Sequence, residues 1–141
     1  MCGCRDMATR SFSALAYALA AIAASALPAQ AFDLSGAWAS DSGACAKIFT
    51  KNGSSISFAP NSELWGSGFI VDGNSIRGQV VKCTIKARKE SGANNHLVAS
   101  CASDIMVDQV QLSFKVNNNN SITRFFPGIE GMERTLVRCP P

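Results

Sequence analysis

Short runs in which apolar and polar residues alternate, separated by turn residues, place the strongest constraint on how this 141-residue chain folds. The clearest run is 109–116, with apolar side chains at its even positions: Val110, Leu112, Phe114 and Val116. A period of two is typical of a strand with one core face and one solvated face. No convincing apolar pattern of helical period follows residue 31. The sequence therefore predicts an all-β meander of eight or nine short antiparallel strands that closes into a barrel.

Residues 1–31 contain the three parts of a secretory signal peptide in order. Arg5 and Arg10 come first, an apolar run follows at 12–27, and 29–31 reads Ala-Gln-Ala, a small-residue cleavage site. The apolar run of about sixteen residues is shorter than the ~20 that span a bilayer. We therefore expect an N-terminal signal helix that is cleaved, with no stable membrane anchor afterwards.

The predicted organisation is thus a signal peptide at 1–31 and a single β-barrel-like domain at 32–141. Starts at Met1 and at Met7 both give a complete signal, so the sequence leaves the start of translation open. Either start predicts a mature protein that begins at Phe32, in the periplasm or outside the cell.

Four cysteines lie in the predicted mature chain: Cys45, Cys83, Cys101 and Cys139. An even number of cysteines in an oxidising compartment predicts disulfides, here two. The spacing lacks the C-x-x-C pairs of zinc sites, and His96 is the single histidine. No metal site and no cofactor are therefore expected.

Turn chemistry predicts the disulfide pairing. A turn centred on Gly92 places residues whose numbers sum to 184 opposite each other, which pairs Cys83 with Cys101, Ile85 with Ala99 and Ala87 with Leu97. Opposed residues have Cβ atoms about 4.5–5.5 Å apart, close to disulfide geometry. Cys45 is then left for Cys139, and that bridge would tie an early strand to the last one, as barrel closure requires.

Other hairpins follow from similar signals. Asn52-Gly53 joins 45–51 to 54–59, with Phe49 opposite Ile56. A turn at Gly73-Asn74 places Val71 opposite Ile76 and Phe69 opposite Gly78. The asparagines at 117–120 return the chain into a strand at 121–126, and a last strand covers 134–139.

The charge is small and dispersed. Without Arg5, Arg10 and Asp6, eleven basic and nine acidic side chains remain, a net charge of +2. Nucleic-acid binders normally carry a concentrated basic stripe, so no nucleic-acid partner is expected. The one local excess has a simple explanation, because the predicted hairpin places it on the solvent face of a strand: Lys82, Lys86, Arg88 and Lys89.

Gly36 and Trp38 form a G-x-W motif on the first predicted strand, and Arg138 lies on the last. With the series of short antiparallel runs, these residues resemble the pattern of the calycins, which include lipocalins, avidins and fatty-acid-binding proteins. The resemblance implies that Trp38 plugs one barrel end and that Arg138 stacks across it in a cation–π contact. The chain also resembles small exported proteobacterial proteins and, in size and export alone, periplasmic protease inhibitors.

Enzymatic activity is not expected. A catalytic triad needs a base with an orienting carboxylate, yet His96 faces Arg88 across the predicted hairpin and no G-x-S-x-G motif is present. Glu130 and Glu133 fall in a predicted Gly-rich loop, where solubility accounts for them.

A binding module is the favoured class. Three predicted loop segments, 64–68, 105–106 and 125–129, hold more apolar residues than turns require. From them we predict a binding surface that includes Trp65, Phe125, Phe126 and Ile129. A lid over the core is the alternative role for Trp65.

Two hypotheses about function remain open. The barrel either presents its loops to an unidentified protein partner or holds a small apolar ligand in an interior cavity. Large side chains favour a filled interior and hence a protein partner: Phe49, Phe58, Phe69, Phe114 and either Phe125 or Phe126.

Overall fold

The computed structural model describes residues 31–141, so the predicted signal peptide lies outside the described residues apart from Ala31. The elements, in chain order, are β1 Gly36–Ala39, a 3-10 turn Ser42–Ala44, α1 Cys45–Ile48, β2 Phe49–Asn52, β3 Ser55–Phe58, a 3-10 turn Ser62–Trp65, β4 Gly68–Asp72, β5 Ser75–Gly78, β6 Lys82–Ser91, β7 Asn94–Ala102, β8 Val107–Asn118, β9 Ser121–Phe126 and β10 Ile129–Arg138.

Eight of these strands form a closed antiparallel barrel in the order β1-β10-β9-β8-β7-β6-β5-β4. The barrel closes because β1 pairs on one side with β10 and on the other with β4. This arrangement confirms the predicted all-β class and the predicted barrel, with eight strands in the wall. β2 and β3 form a separate two-stranded hairpin.

The β4–β5 and β8–β9 hairpins follow from their turn residues. Val71 pairs with Ile76 and Phe69 with Gly78, which confirms the predicted register. Gly73 supplies the positive φ of 55° that this turn needs, because residues other than glycine rarely adopt it. In the second hairpin, β8 continues two residues further than predicted, to Asn118, before the chain turns back.

The β6–β7 hairpin confirms the pairs Cys83 with Cys101 and Ile85 with Ala99, but the prediction for Ala87 is wrong. A bulge between Ile85 and Ala87 shifts the register by one residue, so Ala87 pairs with Val98 and His96 lies opposite Lys89 instead of Arg88. One extra residue on a bulged strand changes every pair beyond it. The predicted basic residues of β6 are all exposed.

The prediction for 45–59 is wrong in two respects. Cys45–Ile48 is one turn of α-helix, and the hairpin that follows pairs Phe49 with Phe58 and Lys51 with Ile56. The two central turn residues are Gly53 and Ser54, and of these only Gly53 has positive φ, 63°. A two-residue turn with glycine at its first central position explains the shift of two residues from the predicted register.

The segment 40–67 between β1 and β4, here called the annex, packs against the outside of the barrel wall. Its buried residues Ile48 and Phe49 contact the outward-facing Ala37 and Ile70 in a second core cluster. Arg77 of β5 donates a hydrogen bond of 2.7 Å to the carbonyl oxygen of Ile56 and so joins the annex hairpin to the wall. The described chain thus has two hydrophobic cores. One lies inside the barrel, and the other lies between the annex and the outside of the wall.

Both predicted disulfides are present. Cys83–Cys101 crosslinks neighbouring strands, and Cys45–Cys139 ties α1 to the end of β10 across a sequence separation of 94. Because Cys45 lies in the annex, the second bridge fastens the annex to the barrel, and barrel closure itself comes from β1. Residues 31–141 include no helix long and apolar enough to cross a membrane.

Candidate functional site

One end of the barrel is closed by the chain that precedes β1. Leu34 and Trp38 are almost completely buried, and Trp38 Nε1 donates a hydrogen bond of 2.8 Å to the carbonyl oxygen of Leu34. The Arg138 guanidinium lies over the Trp38 ring, 4.4 Å from its centroid, and donates hydrogen bonds to the carbonyl oxygens of Asp33, Ser35 and Asn119. This end, where the turns at 73–74, 92–93 and 119–120 also lie, is called the closed end.

The opposite end, called the mouth, carries the connections at 79–81, 103–106 and 127–128 together with the start of β4. All the large apolar side chains that are exposed within residues 31–141 belong to the mouth or to the last turn of the annex before it: Leu64, Trp65, Val80, Ile105, Met106, Val107, Ile129 and Met132. Scattered apolar side chains on a surface are ordinary, whereas a concentration at one end is typical of interaction sites.

A cavity of about 770 Å³ extends from the mouth into the barrel. Most of its lining is apolar and comes from every wall strand except β1: Phe69, Ile76, Val81, Cys83, Cys101, Val110, Leu112, Phe114, Phe126, Met132 and Leu136, with Ser67, Gly68, Gly78, Arg124, Gly131, Glu133 and Arg134 completing it. Met132 is half-exposed, so the cavity meets solvent there. This size and an apolar lining are typical of the cavities in which proteins bind small organic ligands.

The expectation that five phenylalanines lie inside the barrel is wrong for Phe49 and Phe58, whereas Phe114 belongs to the interior core cluster and Phe69 packs against it. Phe49 and Phe58 pack against each other in the annex, with ring centroids 5.5 Å apart, outside the barrel. Phe125 also points out of the barrel. Of the phenylalanines in residues 31–141, only Phe69, Phe114 and Phe126 line the cavity, and Phe69 and Phe114 contact each other along its wall.

Two arginines interrupt the apolar lining. Arg124 of β9 and Arg134 of β10 are register partners, and Phe114 of β8 is the register partner of Arg124 on the other side. These three residues form one row across the wall and all line the cavity. The row nearer the closed end is apolar, since Ile122 pairs there with Leu136 and Val116.

Arg124 is the more enclosed of the pair. It is half-buried, and its guanidinium lies over the Phe126 ring at 4.9 Å from the centroid. Burial lowers the pKa of Arg124, and the neighbouring positive charge of Arg134 adds to the effect. Because arginine stays protonated in proteins, the lowered pKa describes a cation whose charge is unfavourable in this position.

No carboxylate compensates that charge within residues 31–141. Neither Arg124 nor Arg134 is ion-paired or donates a side-chain hydrogen bond to a described protein group. Glu133 also lines the cavity but is exposed and does not pair with either arginine. The cavity thus combines an apolar lining with uncompensated positive charge.

The four predicted binding residues do not form one surface. Phe126 lines the cavity, and Ile129, which pairs with Phe126, is exposed at the mouth. Phe125 lies on the outer face, where its ring contacts His96 edge-on at 5.8 Å. Trp65 is half-exposed on the annex, with Lys47 Nζ 4.1 Å from its ring centroid, and does not line the cavity.

Glu130 and Glu133 belong to β10, not to a loop as predicted. Pairing between β9 and β10 is interrupted from Ile129 to Arg134, and Gly131 has a φ of 80° within this irregular stretch. A long bulge of this kind at a barrel rim re-aims side chains, which is how neighbouring residues such as Met132 and Glu133 both reach the cavity.

The histidine makes a contact with a serine that the sequence did not indicate. His96 Nδ1 is hydrogen-bonded to Ser113 Oγ at 2.9 Å on the outer face. Ser113 is only 2 % exposed, and no described carboxylate is hydrogen-bonded to His96. The hydrogen bond joins the register partners of β7 and β8 on the outer face of the barrel wall. Residues 31–141 hold no group of three or more metal-ligating side chains arranged to bind a metal ion.

Sequence reasoning did not predict three residues that line the cavity: Arg124, Arg134 and Met132. Arg124 shares the even-numbered face of its strand with Ile122 and Phe126, so the period of two could have placed it inside the barrel. The bulge hides the corresponding signal in β10.

Comparisons of the chain with protein-family models, with curated proteins and with solved structures find no match.

Proposed function

We propose that this protein is a binding module that holds a small, largely apolar ligand inside its barrel. The observation that carries the proposal is the preformed cavity of about 770 Å³. That volume lies within the range of roughly 300–1,000 Å³ typical of small-molecule sites. A packed eight-stranded barrel of this length would have no such space, because side chains can fill an interior of that width.

The closed end supports this proposal. Leu34, Trp38 and the Arg138 hydrogen bonds seal one end without using the residues that line the cavity. Ligand entry is therefore directed to the mouth, where the bulged start of β10 lines the cavity together with Ser67 and Gly68. A rigid scaffold with one open end lowers the entropic cost of ordering a site on binding.

We further propose that the module works after export, in the periplasm or outside the cell. The two disulfides support an oxidising compartment. Cleavage after Ala31 would leave Phe32 at the N-terminus, and the Phe32 ring packs against Trp38 at a centroid distance of 6.4 Å. The intact mass of protein recovered from its host tests this: a chain beginning at Phe32 supports export, and an uncleaved chain in the cytoplasm contradicts it.

Ligand binding is tested with a neutral apolar probe, N-phenyl-1-naphthylamine, whose fluorescence rises in an apolar site. We expect saturable one-to-one binding to the purified protein. Val110→Trp places a large side chain in the cavity and should abolish the signal. Gln109→Trp adds the same side chain to the exposed outer face of the same strand and serves as the control.

The two variants separate a cavity site from a surface site. Loss of binding in Val110→Trp alone supports the proposal, provided that its circular dichroism matches that of the wild type. Binding that is unchanged in Val110→Trp, or no saturable binding to the wild type, overturns it.

A protein partner that contacts the mouth is a second candidate function, favoured by the exposed apolar residues gathered there. Apolar anchors in a compact patch are typical of protein interfaces. Cross-linking in the host, from a photoreactive residue placed at Ile105, tests this candidate, since that side chain is 93 % exposed and does not line the cavity. One discrete protein adduct supports it, and the absence of an adduct contradicts it.

A further inference from the structure

We propose that the ligand is an amphiphile with an apolar body and one anionic group, and that Arg124 and Arg134 bind the anion. This inference depends on the ligand site proposed above and specifies the chemical class of its occupant. The relevant observation is the pair of neighbouring guanidinium groups on an apolar wall, without a carboxylate to neutralise them.

Unpaired positive charge at this position is unfavourable for the empty protein. Arg124 is half-buried between strands and faces a second cation across one strand pair. Like charges directly opposite each other on adjacent strands destabilise a sheet. A pair of this kind is expected where a ligand supplies the missing negative charge, and guanidinium groups bind carboxylate or phosphate oxygens with two parallel hydrogen bonds.

The position of the arginines within the cavity selects an amphiphile over a small inorganic anion. Ile122 and Leu136 form the row below them towards the closed end, and Phe126 lies next to Arg124 towards the mouth. Across the cavity are Ile76, Val81 and the Cys83–Cys101 bridge. An anion held by the arginines would therefore have apolar surface around it, which an apolar body attached to the anion would cover.

Glu133 is the one acidic side chain in the lining, and it works against anion binding. It is exposed at the mouth and forms no ion pair with the arginines, so solvent screens it more than Arg124. The net charge of the three ionisable residues in the lining is positive, which is the sign that an anionic ligand requires.

The test uses dodecanoate and dodecan-1-ol, which share a chain length and differ in charge. Each displaces N-phenyl-1-naphthylamine from the purified protein, and we expect dodecanoate to bind about tenfold more tightly, as one charge-assisted hydrogen-bonded contact predicts. Arg124→Gln should weaken dodecanoate by about tenfold and leave dodecan-1-ol unchanged. Arg134→Gln, at a more exposed position, should weaken dodecanoate by about threefold.

Two further variants serve as controls. Arg88→Gln removes a guanidinium from the exposed outer wall, where it donates to the carbonyl oxygen of Gly73, and should leave both affinities unchanged. Glu133→Gln should tighten dodecanoate by roughly twofold, since it removes an exposed like charge. Circular dichroism shows whether each variant is folded, and Arg134→Gln remains informative if Arg124→Gln is not.

The outcomes distinguish the two proposals. If the neutral probe and dodecan-1-ol bind but dodecanoate binds no better, or if both arginine variants keep the preference for dodecanoate, the anionic ligand class is wrong and the cavity site stands. If no probe binds to the wild type, the proposed function fails and this inference fails with it.

Discussion

The guanidinium of Arg138 lies 4.4 Å from the centroid of the Trp38 ring, and the two residues are register partners on β10 and β1. The same guanidinium donates hydrogen bonds to carbonyl oxygens before β1 and in the β8–β9 turn. One side chain thus joins the N-terminal segment, the first and last strands, and a turn. We therefore expect the closed end to depend on the three donor directions of this guanidinium as well as on its charge.

Arg138→Ala should lower the free energy of unfolding by about 2 kcal/mol, because it removes a cation–π contact and charge-assisted hydrogen bonds at a partly exposed site. Arg138→Lys keeps the charge but cannot donate in three directions, so it should recover less than half of the loss. Urea unfolding of the three proteins gives these values. Full recovery by lysine would show that charge, not geometry, seals this end.

The Asp33 carboxylate makes stability at this end depend on pH. The backbone amide of Ser35 donates to it at 2.8 Å and is the main reason that its pKa lies below 3.8; the Ser35 hydroxyl and Arg138 add to the effect, and slight burial opposes it. A pKa lowered by folding contributes stability above the unfolded value, and that stability is lost as the pH falls through the folded value.

We therefore expect Asp33→Asn to be less stable than the wild type at pH 7 and closer to it in stability at about pH 2, because the wild-type carboxyl takes up protons as the pH falls. Urea midpoints at the two pH values measure this. Asp72→Asn, an exposed change at the same end, controls for the loss of one negative charge. A difference between Asp33→Asn and wild type that is as large at pH 2 as at pH 7 contradicts the expectation.

The two disulfides should differ in what they contribute. They close sequence separations of 94 and 18 residues. On the chain-entropy model, replacing Cys45 and Cys139 by alanine costs about 4.7 kcal/mol, and replacing Cys83 and Cys101 costs about 3 kcal/mol. Urea unfolding of both double variants tests the order. The reverse order would mean that the β6–β7 crosslink acts mainly through the folded state.

The elements that sequence reasoning predicted correctly are those with local causes. Gly73 fixes the β4–β5 turn, and with it the register of Val71 and Ile76. Alternation along 109–116 places Leu112 and Phe114 inside the barrel. Each of these depends on contacts between residues that are close in the sequence, so a single chain carries enough information for them.

The errors have non-local causes. The α1 turn replaces a predicted strand because Ile48 and Phe49 pack on Ala37 and Ile70, residues of two other strands. The bulge in β6 changes the pairing of His96 without any glycine or proline to indicate it. The cavity depends on which phenylalanines face inward, and Phe49 faces the annex only because the annex folds back on the wall.

Gly68 allows that annex to pack. A Cβ at this position would lie 2.7 Å from the Phe49 ring and 2.9 Å from the Trp38 carbonyl oxygen, which is backbone and cannot rotate away. Gly68→Ala should therefore cost about 3 kcal/mol. Gly53→Ala, where the space is open and only the positive φ of 63° is strained, should cost about 1 kcal/mol. Equal costs in thermal or urea unfolding would show that the annex is loosely attached.

Alanine variants of Phe126 and Trp65 should show which of the two aromatic rings contributes to probe binding. Phe126 lines the cavity and contacts Arg124, so Phe126→Ala should weaken N-phenyl-1-naphthylamine by at least roughly tenfold, the effect of about 1.4 kcal/mol of lost apolar contact. Trp65 is 51 % exposed on the annex beside Lys47, so Trp65→Ala should change neither probe binding nor the melting temperature by much.

The comparison is informative because both changes remove one aromatic ring near the mouth, and only one of those rings faces the cavity. Probe titration and thermal unfolding of the two variants give both quantities. If Trp65→Ala abolishes probe binding while Phe126→Ala does not, the ligand lies on the annex side of the mouth, outside the barrel. If Trp65→Ala instead lowers the melting temperature strongly, the Trp65 ring is part of the annex core, as a lid over it would be.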